Sequence, residues 1–279
     1  MTDEERYLFD LLGYVVVREA VPAELLRQVN ATIDELEQLS DDEIASRGVP
    51  RSYVQEDNKY AQKGHAANTA IGLGDYSCNI LSYGGPFEEF IDLPTTLPLI
   101  EEMIGEPCRL DAVAFMSRHN HGAFRFHHGY AELLPYSEFS YGEDGFKCVS
   151  VKISYALTDV GIDDGCFAVI PGSHKSAFAN PLVGQVPIPD HPLVEPLPCR
   201  AGDAVVFSED LSHGAVENHG TNTRRTLFYS YAPAFHCTWS DFVNTAPGFA
   251  ARSSPARRLL VEGPPPFPEA ETVNGRRHH

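Results

Sequence analysis

The chain has 279 residues, of which 43% are hydrophobic and 22% charged, so it carries enough apolar side chain to bury a core and is not an intrinsically disordered polymer. Asp and Glu number 39 against 21 Lys and Arg, and the resulting net charge of -18 argues against a nucleic acid polymer or an acidic membrane surface as partner, since both require a positive footprint. The opening residues Met1-Thr2-Asp3-Glu4-Glu5-Arg6 lack a basic n-region and an apolar h-region, and no stretch is long enough to cross a bilayer, so a cytoplasmic protein is expected. The six cysteines (Cys78, Cys108, Cys148, Cys166, Cys199, Cys237) form no C-x-x-C pair and read as reduced, mostly buried thiols.

In chain order, a helix is predicted over Asp3 to Leu12, stopped by Gly13, and Tyr14-Val15-Val16-Val17 reads as a short strand. From Pro22, the residues Leu25, Leu26, Val29, Ile33 and Leu36 recur at three- and four-residue steps, the pattern of an amphipathic helix. Residues 39–86 are polar and weakly periodic, a lid or a long surface excursion. A second helical stretch is predicted over Phe87 to Ile104, interrupted by Pro94 and Pro98. Strands follow at Leu110–Met116, Phe124–His128, Val149–Leu157, Phe167–Ile170, Ala204–Ser208 and Leu227–Tyr231, with turns such as Glu143-Asp144-Gly145 and Asp163-Asp164-Gly165 between them. Short strands with no helices between them predict an antiparallel sandwich or barrel. The expectation is one domain over residues 1–262, with the β core at about 110–234, and a Pro-rich tail at 263–279.

Three segments of the β-rich half carry chemistry. Phe124-Arg125-Phe126-His127-His128-Gly129 places histidine on a strand, Asp210-Leu211-Ser212-His213-Gly214-Ala215 places another, and Arg224-Arg225-Thr226-Leu227-Phe228 opens a further strand. Histidines from separate strands can converge on one cation, and an inward arginine can grip a carboxylate with its planar fork. Together with Tyr155-Ala156-Leu157-Thr158-Asp159-Val160, the run Asp164-Gly165-Cys166-Phe167-Ala168-Val169-Ile170-Pro171-Gly172-Ser173-His174-Lys175 and the segment Ala201 to Phe207, these residues resemble the phytanoyl-CoA dioxygenase-like iron(II)- and 2-oxoglutarate-dependent oxygenases over most of residues 8–234.

That resemblance implies a mainly β (α+β) fold, a double-stranded β-helix or jelly-roll barrel with N-terminal and flanking helices. It implies His127 and His213 as metal ligands and Arg224, eleven residues after His213, as the grip on the far carboxylate of 2-oxoglutarate. Arg225 is the competitor of Arg224, but strand alternation turns it to the opposite face. Arg118 and Thr158 are further candidates for cosubstrate binding, His128 is the register alternative to His127, and His174 is expected to be structural.

The sequence departs from the family at one position. Hydroxylating relatives carry His-x-Asp or His-x-Glu, whereas here the tripeptide is His127-His128-Gly129, so the carboxylate of the facial triad is missing. In the halogenating branch of the superfamily that position is Gly or Ala and chloride or bromide binds there, which makes Gly129 a catalytic candidate. A monoanionic halide in place of a monoanionic carboxylate leaves the formal charge at iron unchanged. The resemblance then implies oxidative decarboxylation of 2-oxoglutarate by O2 to succinate and CO2, hydrogen abstraction from an unactivated C–H bond, and delivery of halide to the carbon. The expected partner is a small-molecule substrate, such as a free amino acid or nucleotide, and the expected state a monomer or homodimer. Glycine at 129 also suits a β-bulge or a silent relative, and Glu132 or another acid is an alternative third ligand, which leaves hydroxylation and non-catalytic binding open.

Overall fold

The computed structural model describes residues 1–40, 42–43, 80–105, 107–118, 121–128, 139–143, 145–236 and 243–262. Gly129, Glu132, Cys78, Cys237, nearly all of the polar excursion within 39–86 and the tail 263–279 lie outside the described residues.

The chain opens with α1 (Asp3–Leu12), where Thr2 and Glu5 form a reciprocal capping box and Gly13, in the left-handed region, closes the last turn. Next come β1 (Tyr14–Val17) and α2 (Ala23–Gln38), whose Leu25, Val29, Ile33 and Leu36 are buried as the periodicity predicts. The expected helix over 87–104 is two separate pieces: a 3-10 helix at Gly85–Phe90 and α3 (Leu97–Ile104). Pro94 stops the first from continuing, while Pro98 sits in the first turn of α3, where its missing N–H leaves no helical bond unmade.

The strands are β2 (Cys108–Arg118), β3 (Phe124–His127), β4 (Ser140–Gly142), β5 (Gly145–Lys147), β6 (Val151–Ala156), β7 (Phe167–Val169), β8 (Glu195–Leu197), β9 (Ala204–Ser208), β10 (His213–Ala215) and β11 (Arg224–Pro233), followed by α4 (Phe249–Arg252) and α5 (Pro255–Glu262). Among the described residues, all strand pairings are antiparallel. A five-stranded sheet runs β1-β9-β6-β11-β2, a four-stranded sheet β3-β10-β7-β8, and β4-β5 is a hairpin. The first sheet reaches outside 110–234, because β1 forms its edge by pairing with β9. The strands β4, β5, β8 and β10 have three residues each, too few for a period-two pattern to be visible in sequence.

Side-chain alternation divides the large sheet. Ile153 and Tyr155 of β6, Val206 of β9, and Leu227, Tyr229 and Tyr231 of β11 point outward into a core shared with α2, α3, α5 and the 3-10 helix. Val205 and Phe207 of β9 point inward and pack with Tyr14, Phe167, Val169 and Leu197, so the two sheets face each other. This is the double-stranded β-helix expected from the resemblance.

Candidate functional site

His127 ends β3 and His213 opens β10, and the two residues are direct cross-strand partners. Their ring centroids lie 4.1 Å apart. A register shift follows at once, because the next pair is Ala215 with Phe124, three residues back on β3 against two on β10. Such a bulge re-aims a side chain, and here it lets Phe124 stand edge-on to His127 with centroids 4.7 Å apart. Gly214 is required between the paired strands: a Cβ there would lie 2.6 Å from the carbonyl oxygen of Phe124.

The imidazoles are oriented in the same way. Nδ1–H of His127 donates to the carbonyl of Arg125 at 3.0 Å, and Nδ1–H of His213 donates to that of Leu211 at 2.7 Å. Each bond places the ring lone pair on Nε2, the tautomer a metal ligand needs. Burial holds the His127 imidazole well below its ordinary range, with His213 as the second cause. Burial, followed by the charge of Lys152, depresses His213 to about 3. Both rings are therefore neutral at neutral pH, with no proton for a cation to displace from Nε2.

Arg224 opens β11 and is 3% exposed. Its Nε donates to Thr226 Oγ1 at 3.1 Å and one terminal nitrogen to the carbonyl of Gly165 at 2.6 Å. No carboxylate among the described residues forms an ion pair with it, and burial lowers its pKa. With Ser154, Phe167, Leu197, Val205 and Thr226 it lines a small cavity between the sheets. A buried guanidinium beside a cavity and held only by neutral oxygens suits an incoming carboxylate. Arg225 turns the other way, as alternation requires, and pairs with Asp34 and Glu37 of α2 at 2.7 and 2.8 Å.

The remaining candidates separate. Arg118 is buried, is the cross-strand partner of Arg224, and sets its guanidinium carbon 4.8 Å from the centroid of the Phe124 ring. Thr158 does not join this group. Its hydroxyl donates to the carbonyl of Thr223 and accepts from the N–H of Arg225, both at 3.1 Å, so it braces the start of β11 and positions Arg224 from behind. Arg125 is exposed and donates to the carbonyl of Gly184. His174 is buried against the turn at Gly13 and its Nε2–H donates to the Asp10 carbonyl at 3.2 Å, a structural placement.

One feature of the site was not predicted from sequence. Lys152 on the inner face of β6 donates to Glu209 Oε1 at 2.7 Å, and both side chains are largely buried. Glu209 Oε2 is buried without a hydrogen bond, and the pair acts electrostatically on His127. The signal was a lone lysine inside Val151-Lys152-Ile153-Ser154-Tyr155-Ala156, which period two places on the same face as Ser154.

The two neutral imidazoles and the buried Arg224 fit an iron ion and a dicarboxylate cosubstrate, because they offer nitrogen lone pairs at one place and an unneutralised fork at another. A family profile described as phytanoyl-CoA dioxygenase (PhyH) matches residues 9–226. Phytanoyl-CoA dioxygenase 1 of Oryza sativa subsp. japonica is 33% identical over 120 residues, 39% of this chain and 42% of that protein. Dioxygenase trt7 of Aspergillus terreus is 30% identical over 113 residues, 40% of this chain and 37% of that protein. The matched region thus spans less than half the length of these curated relatives. Among solved structures, HygX from Streptomyces hygroscopicus with nickel and 2-oxoglutarate bound superposes with a TM-score of 0.65 at 17% identity, over 88% of this chain and 95% of that one. The non-heme alpha ketoglutarate dependent epimerase SnoN from nogalamycin biosynthesis superposes with a TM-score of 0.56 at 19% identity, over 83% and 80%. At these identities the likeness is one of fold.

Proposed function

Because this chain belongs to the phytanoyl-CoA dioxygenase (PhyH) family, we propose that it is an iron(II)- and 2-oxoglutarate-dependent halogenase acting on an unactivated C–H bond of a small metabolite. The observation that carries the reading is the tripeptide His127-His128-Gly129, which has no carboxylate where the family's facial triad needs one. Among the described residues, no carboxylate or thiol forms a three-ligand group with His127 and His213.

His127 and His213 would hold the iron through Nε2, and Arg224 would hold the far carboxylate of 2-oxoglutarate, with Arg118 beside it on the same sheet face. Iron, 2-oxoglutarate and O2 together supply the oxidising power that breaks a C–H bond, with release of succinate and CO2. The chain's own task is placement. Carbonyl-anchored imidazoles would fix the metal, the buried inner face excludes bulk water, and a ligand position with no carboxylate from residue 129 would be left to chloride or bromide. The substrate carbon must sit nearer the halide than the oxygen, because both can be transferred and a small displacement changes the product. A free amino acid or nucleotide is the proposed substrate class.

The test is incubation with iron(II), 2-oxoglutarate, O2 and either chloride or bromide across a panel of such metabolites, read by mass spectrometry. The expected product carries the halogen isotope pattern, and Gly129→Asp should replace it with a hydroxylated one. Hydroxylation at the same rate with and without halide would overturn the reading. A second reading, hydroxylation, is favoured by Glu209, a buried carboxylate near His127 with one oxygen lacking a hydrogen bond. It predicts that Glu209→Gln, not Gly129→Asp, changes the product.

A further inference from the structure

His121, Glu217 and His219 stand apart from the site just described. They lie on the continuation of the β3-β10 ribbon, in the direction away from His127 and His213. Four residues separate His213 from Glu217, which is roughly 13 Å along an extended chain. The ribbon is still paired there: the N–H of His121 donates to the carbonyl of Asn218 at 2.6 Å, and the N–H of Asn218 donates to that of Gly122 at 2.9 Å. The N–H of His219 is held by the carbonyl of Asp163 at 2.8 Å. All three side chains therefore project from backbone that is already fixed.

Their ligand atoms lie within 4.8 Å of one another. Nδ1 of His121 is 3.0 Å from Glu217 Oε1, and Nε2 of His219 is 3.9 Å from Glu217 Oε2. His121 also holds a φ of 65°, a left-handed conformation uncommon outside glycine, which its backbone bond to Asn218 keeps in place. Two imidazoles and one carboxylate from two chain segments are the donor set of three-ligand zinc sites, with a fourth position left to water.

We infer that His121, Glu217 and His219 form a second metal site, selective for a borderline divalent ion such as Zn2+ and independent of the iron site. Imidazole nitrogen disfavours Ca2+ and Mg2+, which take oxygen ligands, and the net charge of -18 raises the local concentration of any divalent cation. On binding, the proton on Nδ1 of the neutral His121 ring moves to Nε2, and the metal takes the freed Nδ1 lone pair in place of the hydrogen bond to Glu217. The site clips the segment after Arg118 to the loop 216–223 that delivers Arg224. Its role is structural: it ties down the end of the β3-β10 ribbon that leads into Arg224.

The experiment is calorimetric titration of the 279-residue apo protein with Zn2+, beside thermal denaturation. The variant His121→Gln/His219→Gln changes exposed side chains, and the terminal His278-His279 pair is common to both proteins, so the difference between them isolates the site. The expected result is that the variant binds one equivalent fewer and loses the zinc-dependent rise in melting temperature that the wild type retains even when His127→Ala/His213→Ala removes the iron ligands. A zinc-edge anomalous peak among the three side chains should appear in crystals. Equal stoichiometry and affinity in wild type and variant, or no such peak in zinc-soaked crystals, would overturn the inference. Neither result depends on whether the enzyme halogenates.

Discussion

On the outer face of the five-stranded sheet, Tyr155, Tyr229 and Tyr231 are fully buried, and their hydroxyls end on Thr96 and on the carbonyls of Phe87 and Ile91. On the inner face of the same strands stand Lys152, Ser154, Arg224 and Thr226, around a cavity and beside two histidines. The outer face is dry and every polar tip has a partner, so it contributes stability. The inner face is polar and leaves a guanidinium and a carboxylate oxygen without strong partners, which costs stability and creates a place for ligands. One backbone with a period of two performs both tasks, and substitutions on the two faces should therefore fail in different ways.

The largest effect is expected at His213→Ala, which should reduce 2-oxoglutarate-dependent succinate release to background while far-UV circular dichroism and the melting transition stay close to wild type. Loss of folding would move His213 to the stability side of the comparison. On the outer face, Phe90 packs against Tyr155 and Tyr229 with centroids 5.0 and 5.9 Å away. Phe90→Ala should cost about 3–5 kcal/mol in urea unfolding and leave the apparent KM for 2-oxoglutarate unchanged in the folded fraction.

Acid sensitivity gives a third handle. Burial, followed by the charge of Lys175, lowers His174 from 6.5 to about 4. Between those values the unfolded chain takes up a proton that the folded chain refuses. Stability from this group is thus complete above about pH 6.5 and is lost on the order of 3 kcal/mol as the pH falls toward 4. His174→Gln should reduce proton uptake on unfolding near pH 5 by about one, read from the pH dependence of urea midpoints. The smallest effect is expected at Thr158→Val, which removes two hydrogen bonds and should cost about 1–2 kcal/mol. A large rise in the KM for 2-oxoglutarate without that loss of stability would make Thr158 a direct cosubstrate contact.

The strands that line the site were legible because their alternation or their flanking turns are written locally: Ala204–Ser208 has the predicted bounds, and Arg224 and Arg225 diverge as period two requires. The hydrogen bonds of Thr158 were not legible, because a hydroxyl's partners here are other segments' backbone groups. The Lys152–Glu209 pair was hidden for the same reason, since it joins residues 57 apart in sequence.

The sequence by itself determined the antiparallel class, the strand placement of His127 and His213, and the opposite faces of Arg224 and Arg225, because residue identity and short-range periodicity carry that information. Only the tertiary structure decided that His127 and His213 become neighbours through a bulged ribbon, that β1 closes the sheet edge on β9, and that three solvent-facing side chains gather at the far end of that ribbon. Those outcomes depend on long-range strand pairing, and register between distant segments is settled by packing across the whole barrel rather than by any local pattern.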